Sequence, residues 1–369
     1  MTLINSIQNT IKKNGAIPFV DFMQMALYSP QWGYYNTTLQ PFGPTGDFTT
    51  APELTPLFGY AIANQCEEIL NELNNPILFE FGAGSGRLCV DVLTHLERLD
   101  ALPEEYHILD VSGHLQARQQ ELIQQTIPHL ATRVRWLHQW PNTPFNGVVI
   151  ANEVLDAMPV HRFLKTEHEL FELYVDLNQQ GNLIETVKPC SNTQLIKHIQ
   201  TVFPETIYPY QSEINLFVDD WILQCHDMLE QGVMLILDYG FPRQEFYHPD
   251  RNQGTLMCHY QHQTHTNPLV NVGQQDITAH VDFTHVAEAA FNAGFKISGY
   301  TNQASFLLGN GILDLLEKVA ENKRVNAQQA TKMLLQPNEM GELFKVIALS
   351  KQMELRLKGF QFHDKRVSL

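Results

Sequence analysis

The run Ile77-Leu78-Phe79-Glu80-Phe81-Gly82-Ala83-Gly84-Ser85-Gly86-Arg87 constrains this chain more than any other stretch. An apolar segment of strand length carries an acid near its end and passes into three glycines spaced two apart. An amphipathic run from Leu88 to Leu99 follows, and Tyr106-His107-Ile108-Leu109-Asp110 is a second apolar run that ends in an acid. The order strand, glycine turn, helix, strand, acid is how doubly wound α/β folds bind an adenosine-containing ligand. Glycine has no Cβ, so the backbone can turn sharply and let a ligand approach it. Asp110, 24 residues beyond Gly86, can accept two hydrogen bonds from ribose hydroxyls. Glu80 can face an ammonium group, directly or through water.

The spacing separates two kinds of cofactor. A dinucleotide fingerprint reads G-x-G-x-x-G and sets a pyrophosphate on the helix N-terminus. Here Gly82, Gly84 and Gly86 read G-x-G-x-G, and Arg87 stands where the third dinucleotide glycine is needed. The acid before the glycines also suits a cation better than an anion. Both features favour S-adenosylmethionine, whose sulfonium and α-ammonium are positive. A dinucleotide site and a generic tight turn are the alternatives. The backbone contacts would come from Gly82, Ala83, Gly84 and Gly86, with Glu80 and Asp110 as the polar ends.

The chain has 369 residues, enough for one large domain or two moderate ones. Its 24 Lys plus Arg against 40 Asp plus Glu leave a formal charge of −16, a poor match to a phosphate backbone and a better one to a basic protein. Cys66, Cys89, Cys190, Cys225 and Cys258 are scattered and form no C-x-x-C pair, which fits a reducing compartment. No uncharged apolar run approaches the ~18 residues of a membrane helix, and the N-terminus lacks a basic start before a long apolar core. Cytoplasmic placement is the expectation, without nucleic acid, membrane insertion or a metal, and with the oligomeric state, homodimer included, left open. His259, His262 and His265 form an H-x-x-H-x-x-H pattern in a polar segment. A solvated loop is the favoured reading there and a metal site the minor one.

The pattern predicts helices over 3–14, 18–27, 55–73, 86–99, 113–126 and 283–293, and strands over 77–81, 106–111, 133–137, 146–151, 233–238, 295–300 and 344–349. Strands alternating with helices imply a largely parallel, Rossmann-like sheet with helices on both faces. The alternation breaks at 158–215, which is strand-rich, at 240–280, which looks irregular, and at 302–340, which looks helical. The expected organisation is a helical and lid segment over 1–75, a cofactor-binding core over 76–157 and 216–301, an inserted subdomain over 158–215, a helical insertion over 302–340, and a final strand with a tail over 341–369. Segments 158–215 and 302–340 are read together as the substrate side.

Further blocks are Gly46-Asp47-Phe48-Thr49-Thr50-Ala51-Pro52-Glu53-Leu54, Ala151-Asn152-Glu153-Val154-Leu155-Asp156-Ala157-Met158-Pro159-Val160-His161, Leu237-Asp238-Tyr239-Gly240, Asp276-Ile277-Thr278-Ala279-His280-Val281-Asp282-Phe283 and Met340-Gly341-Glu342-Leu343-Phe344. With the glycine loop they resemble the MidA family of class I S-adenosylmethionine methyltransferases, bacterial relatives of the mitochondrial complex I assembly methyltransferase. The resemblance implies a Rossmann-like fold and, in the mitochondrial member, symmetric dimethylation of an arginine on an NADH:quinone oxidoreductase subunit. A non-catalytic assembly factor and a small-molecule methyltransferase are the competing readings. Ala83-Gly84-Ser85 stands where the mitochondrial form favours Pro-Gly-Arg, which leaves the backbone role intact.

Arginine is a poor nucleophile, because its charge is delocalised and its pKa exceeds ~12. A carboxylate that pairs with two guanidinium nitrogens leaves the third richer in electrons. Asn152-Glu153-Val154-Leu155-Asp156 follows the strand residues Val148-Val149-Ile150 and therefore belongs at the carboxyl edge of the sheet. Glu153 is the candidate grip, with Asp156 assisting if a helical turn puts both on one face, and with Asn152 beside them. The alternative is that Asn152 or Asp156 caps a helix. Asp47 and Glu53 are candidates to meet the ammonium or the incoming arginine. Thr50-Ala51-Pro52-Glu53 can equally be read as a helix-capping signal.

Overall fold

The computed structural model describes residues 2–37, 50–203 and 208–369. The chain divides into two compact units, one of 49–154, 219–241 and 283–369, the other of 1–48, 155–218 and 242–282.

The first unit is built on a twisted sheet. Its strands are β1 (Ile77–Phe81), β2 (Glu105–Leu109), β3 (Val134–Leu137), β4 (Phe145–Asn152), β5 (Leu229–Phe241), β6 (Lys296–Asn302) and β7 (Phe344–Lys351). They lie in the order β3-β2-β1-β4-β5-β7-β6. The pairs from β3 to β5 are parallel, and β7 enters antiparallel between β5 and β6. Helices Arg87–Arg98 and Gly113–Thr126 join β1 to β2 and β2 to β3, whereas a loop without a helix carries the chain from β3 to β4. Both faces are covered, so the strands read as near-continuous apolar runs. Leu78, Val148, Ile150, Leu235 and Val346 share a core with the helices Pro56–Leu70 and Arg87–Arg98. On the other face, Phe79 packs on Phe81 and Phe145, with ring centroids 4.8 and 5.8 Å away, and Phe81 packs on Trp221 of the helix Val218–Met228 at 5.2 Å. The sheet therefore carries helices on both faces, as the alternation predicts.

Most helix ends agree with the sequence pattern. Pro56–Leu70 begins where Thr55 accepts a hydrogen bond from the Leu57 N–H at 3.3 Å, with Pro56 in the first turn, and such a cap stabilises a helix by about 1 kcal/mol. Segment 302–340, expected on the substrate side, instead supplies Phe306, Ile312 and Leu334 to the core shared with Pro56–Leu70. Its apolar residues recur at helical spacing, and periodicity does not name the surface they bury against.

The second unit gathers chain that is distant in sequence. Strands Ile17–Pro18, His161–Lys165, Leu170–Leu177, Leu183–Pro189 and Tyr210–Ile214 form an antiparallel sheet. Ile7, Phe22 and Met23 of helices Leu3–Asn14 and Phe19–Tyr28 share its core with Leu173, Val175 and Ile277. The N-terminal helices thus belong with the inserted strands, whereas the helix Pro56–Leu70 belongs with the large sheet. Segment 240–280 is more regular than expected. Met257–Tyr260 pairs with Gln263–His265 and with Asp276–Thr278. Gln261 and His262 both take left-handed backbone, φ 49° and 60°, as a two-residue hairpin turn demands. Neither is the usual Asn or Gly, so the sequence carries no turn signal there.

Candidate functional site

The glycine turn lies at the carboxyl edge of the large sheet. Gly82, Gly84 and Gly86 have φ of 58°, 53° and 85°, a region open to glycine and strained for other residues. The Gly82 N–H donates to Leu109 O at 2.9 Å, which ties the turn to the end of β2. The Gly86 N–H donates to Ala83 O at 2.7 Å, closing the loop onto the helix Arg87–Arg98. Gly86 also abuts Gln119: a Cβ added there would lie 3.2 Å from Gln119 Cα and Cγ. Gly86→Ala is therefore expected to lose about 1–2 kcal/mol of stability from the left-handed backbone alone and to displace Gln119. Urea unfolding checks this, with Gly113→Ala as control, because nothing lies within 4 Å of a Cβ at Gly113.

Glu80, at the end of β1, is 2% exposed and accepts a hydrogen bond from the Tyr106 hydroxyl at 2.7 Å. Burial pushes its carboxyl up to about 8, against the lowering effect of that hydrogen bond, and the Asp110 charge adds to the rise. Asp110 is also buried. Its Oδ1 accepts the Ser112 N–H at 2.9 Å and its Oδ2 accepts the Gln119 amide at 2.8 Å. Burial raises its pKa, and these two donors oppose the rise. Val111, the next residue, is 72% exposed and offers apolar surface beside the carboxylate. Glu53 accepts from the Ser85 hydroxyl of the glycine loop. The capping-box reading fails, because the Thr50 side chain makes no cap bond and Glu53 is spent on the loop. Asp47 lies outside the described residues.

The Asn152 to Asp156 segment departs from its expected shape. No helical turn starts there. Glu153 holds left-handed backbone with φ 53°, which ends any run of helical dihedrals. Glu153 and Asp156 therefore do not share a helical face, and neither Asn152 nor Asp156 is a helix cap. Asp156 belongs to the second unit, where its carbonyl accepts the Ala279 N–H at 3.0 Å. The bent backbone at Glu153 is held by β5: the Glu153 N–H donates to Leu237 O at 2.9 Å and the Val154 N–H to Asp238 Oδ2 at 3.2 Å. Asp238 is fully buried and also accepts the Tyr239 N–H at 2.9 Å. The Asn152 amide donates to Glu153 Oε1 at 3.3 Å. This segment adjoins the glycine loop, since a Cβ on Gly82 would meet Val154 Cγ2 at 3.8 Å.

Strained non-glycine backbone in a bend held by buried bonds is a recurrent mark of functional sites. Sequence reasoning misses Ser112, Gln119 and Trp136, which brace the acid and the loop. Two of them have a local signal, since Ser112 caps the helix Gly113–Thr126 and Gln119 lies on it, whereas Trp136 comes from β3 and has none. The histidine pattern does not converge. His259 pairs opposite Thr264 and His265 opposite Cys258, so the two rings leave opposite faces of the hairpin. Among the described residues no group of three His, Cys, Asp or Glu could hold a metal, and no helix is long and apolar enough to cross a membrane.

Residues 61–301 match a family model described as "Putative S-adenosyl-L-methionine-dependent methyltransferase". A crystal structure of a Burkholderia thailandensis protein bound to S-adenosyl-homocysteine superposes with a TM-score of 0.95 at 39% identity, over 100% of this chain and 96% of that one. The chain is 28% identical to the Drosophila melanogaster "Protein arginine methyltransferase NDUFAF7 homolog, mitochondrial", over 94% of this chain and 84% of the relative. The Homo sapiens protein arginine methyltransferase NDUFAF7 is 26% identical over 97% and 86%. These relatives are named as mitochondrial proteins, which overturns the cytoplasmic expectation. Scattered cysteines and the lack of a long apolar run are shared by proteins of several reducing compartments, so they could not carry that expectation. A buried acid at each of two adjacent strand ends, with three left-handed glycines between them, fits the sulfonium nucleoside rather than a dinucleotide, and this chain belongs to the S-adenosyl-L-methionine-dependent methyltransferase family.

Proposed function

We propose that this methyltransferase modifies an arginine of a protein, and that its acceptor is a subunit of an NADH:quinone oxidoreductase. The observation that carries the reading is Glu153, set in left-handed backbone at the end of the central strand β4 and beside the glycine loop. The relatives named as protein arginine methyltransferases supply the acceptor class. When bound, the cofactor supplies an electrophilic methyl group on a sulfonium centre. Asp110 would accept from the ribose hydroxyls, Glu80 would meet the ammonium, and the backbone of Gly82, Ala83, Gly84 and Gly86 would line the nucleoside and amino-acid tail.

On the acceptor side, Glu153 would pair with two guanidinium nitrogens and draw the positive charge onto them. Asn152 orients that carboxylate by its amide bond to Oε1. Asp238 acts through the backbone, holding the Val154 N–H so that Glu153 cannot relax into extended geometry. Much of the rate then comes from positioning, since the methyl group and the acceptor nitrogen must be in line.

Lysate from cells lacking this protein, incubated with purified enzyme and labelled S-adenosylmethionine, should yield labelled methylarginine on one respiratory subunit, located by mass spectrometry. Label on small molecules, or none on protein, would reject the proposal.

A further inference from the structure

Gln119 lies against the glycine loop and is fully buried. Its Nε2 donates at once to the Asp110 carboxylate at 2.8 Å and to the Gly84 carbonyl at 3.0 Å. Its Oε1 accepts from the Trp136 indole at 2.9 Å. An indole N–H can only donate, so Trp136 forces the amide oxygen toward itself and the NH₂ toward the carboxylate and the loop. The helix Gly113–Thr126 brings Gln119 against Gly86, where even one added carbon would approach its Cα at 3.2 Å. One side chain thus touches the strand-end acid, the middle of the glycine loop and the loop's last glycine.

We propose that Gln119, oriented by Trp136, is a positioning residue that locks the Asp110 carboxylate and the glycine loop into one cradle for the nucleoside. The inference rests on Asp110 meeting the ribose, as proposed above. Gln119→Leu keeps the volume and loses both donor bonds, to the Gly84 carbonyl and to one Asp110 oxygen. Ligand binding would then have to order the cradle itself, so the effect belongs to affinity rather than to the fraction of competent protein.

The test is calorimetric titration of the full chain with S-adenosylhomocysteine for wild type, Asp110→Asn, Gln119→Leu, the double variant and Trp136→Phe. The expected result is a Kd raised about tenfold or more in Gln119→Leu with unchanged stoichiometry, and a smaller rise in Trp136→Phe. The losses in Asp110→Asn and Gln119→Leu should be non-additive, because the two groups share one bond. A purely structural role would lower the stoichiometry and leave Kd alone, which overturns the clamp. Additive losses, or a normal Kd in Gln119→Leu beside a weakened Asp110→Asn, overturn it as well. A wild-type Kd in Asp110→Asn removes the ribose assignment and the clamp with it. If Gln119→Leu yields no folded protein, Trp136→Phe carries the same comparison: a raised Kd supports the clamp and an unchanged one overturns it.

Discussion

Glu153→Gln should lose methyl transfer by roughly 10²–10³-fold, the effect of removing one partner from a desolvated, hydrogen-bonded charge pair. Affinity for S-adenosylhomocysteine should stay within about twofold, because the backbone bonds that shape the segment are untouched. Glutamine keeps the volume and one acceptor but not the charge that draws a guanidinium's electrons aside. Single-turnover transfer to the acceptor subunit, set beside a binding titration, checks the prediction. Turnover at the wild-type rate would remove Glu153 from the reaction. Matched loss of binding and turnover would make it part of the cofactor site. Asp238→Ala should fall in the same direction with a milder loss, since it releases the Val154 N–H and lets the bend relax.

The second large effect concerns Glu80. Its carboxyl has an ordinary value of 4.5 and is pushed to about 8 by burial in the folded chain. Between those values the native state holds a proton that the unfolded chain has released. Stability therefore falls as pH rises through that window, and the penalty is complete above about 8. Glu80→Gln keeps an acceptor for the Tyr106 hydroxyl and removes the ionisation. Unliganded Glu80→Gln should be more stable than wild type at pH 8, on the order of a few kcal/mol, with the difference shrinking toward pH 5. Binding should move the opposite way. A ligand ammonium beside Glu80 favours the carboxylate, so wild-type affinity for S-adenosylhomocysteine should strengthen from about pH 6 to pH 8, by up to tenfold per unit. Glu80→Gln should bind about 10–100-fold more weakly at pH 8, the loss of a charge-assisted hydrogen bond. Melting curves and titrations across pH decide both halves. A variant less stable than wild type at pH 8, or a wild-type affinity that does not change with pH, would refute the assignment.

Much of the large sheet is legible in the amino-acid sequence alone. Ile77–Phe81, Gly113–Thr126 and Phe283–Ala293 lie where the apolar spacing and the flanking Gly, Ser and Asp residues predict. Glu80 and Asp110 are legible as acids where apolar strands reach the carboxyl edge of the sheet, and the structure buries both there. The pairing of Glu153 with Asp156 cannot be read correctly in the same way. Three residues apart means one face only if the backbone is helical, and φ at Glu153 is set by bonds to Leu237 and Asp238, more than eighty positions away. Glu53 is visible as an acid near a helix start, but its bond to Ser85 depends on how the chain returns to the glycine loop. The H-x-x-H-x-x-H spacing suggests convergence, and the hairpin register sends two of its rings to opposite faces.

What the amino-acid order determined by itself is local: strand and helix periods, the glycines that alone tolerate three left-handed turns in five residues, and the acids that close β1 and precede the helix after β2. Those features follow from steric limits and solvent contact at each position, which neighbours in sequence already define. Tertiary structure alone decided that β7 wedges antiparallel between β5 and β6, that Gln119 bridges Asp110 and Gly84, and that β5 bends the chain at Glu153. Each of these rests on hydrogen bonds between groups far apart in the chain, and the geometry that makes such a bond exists only once the core has brought its partners together.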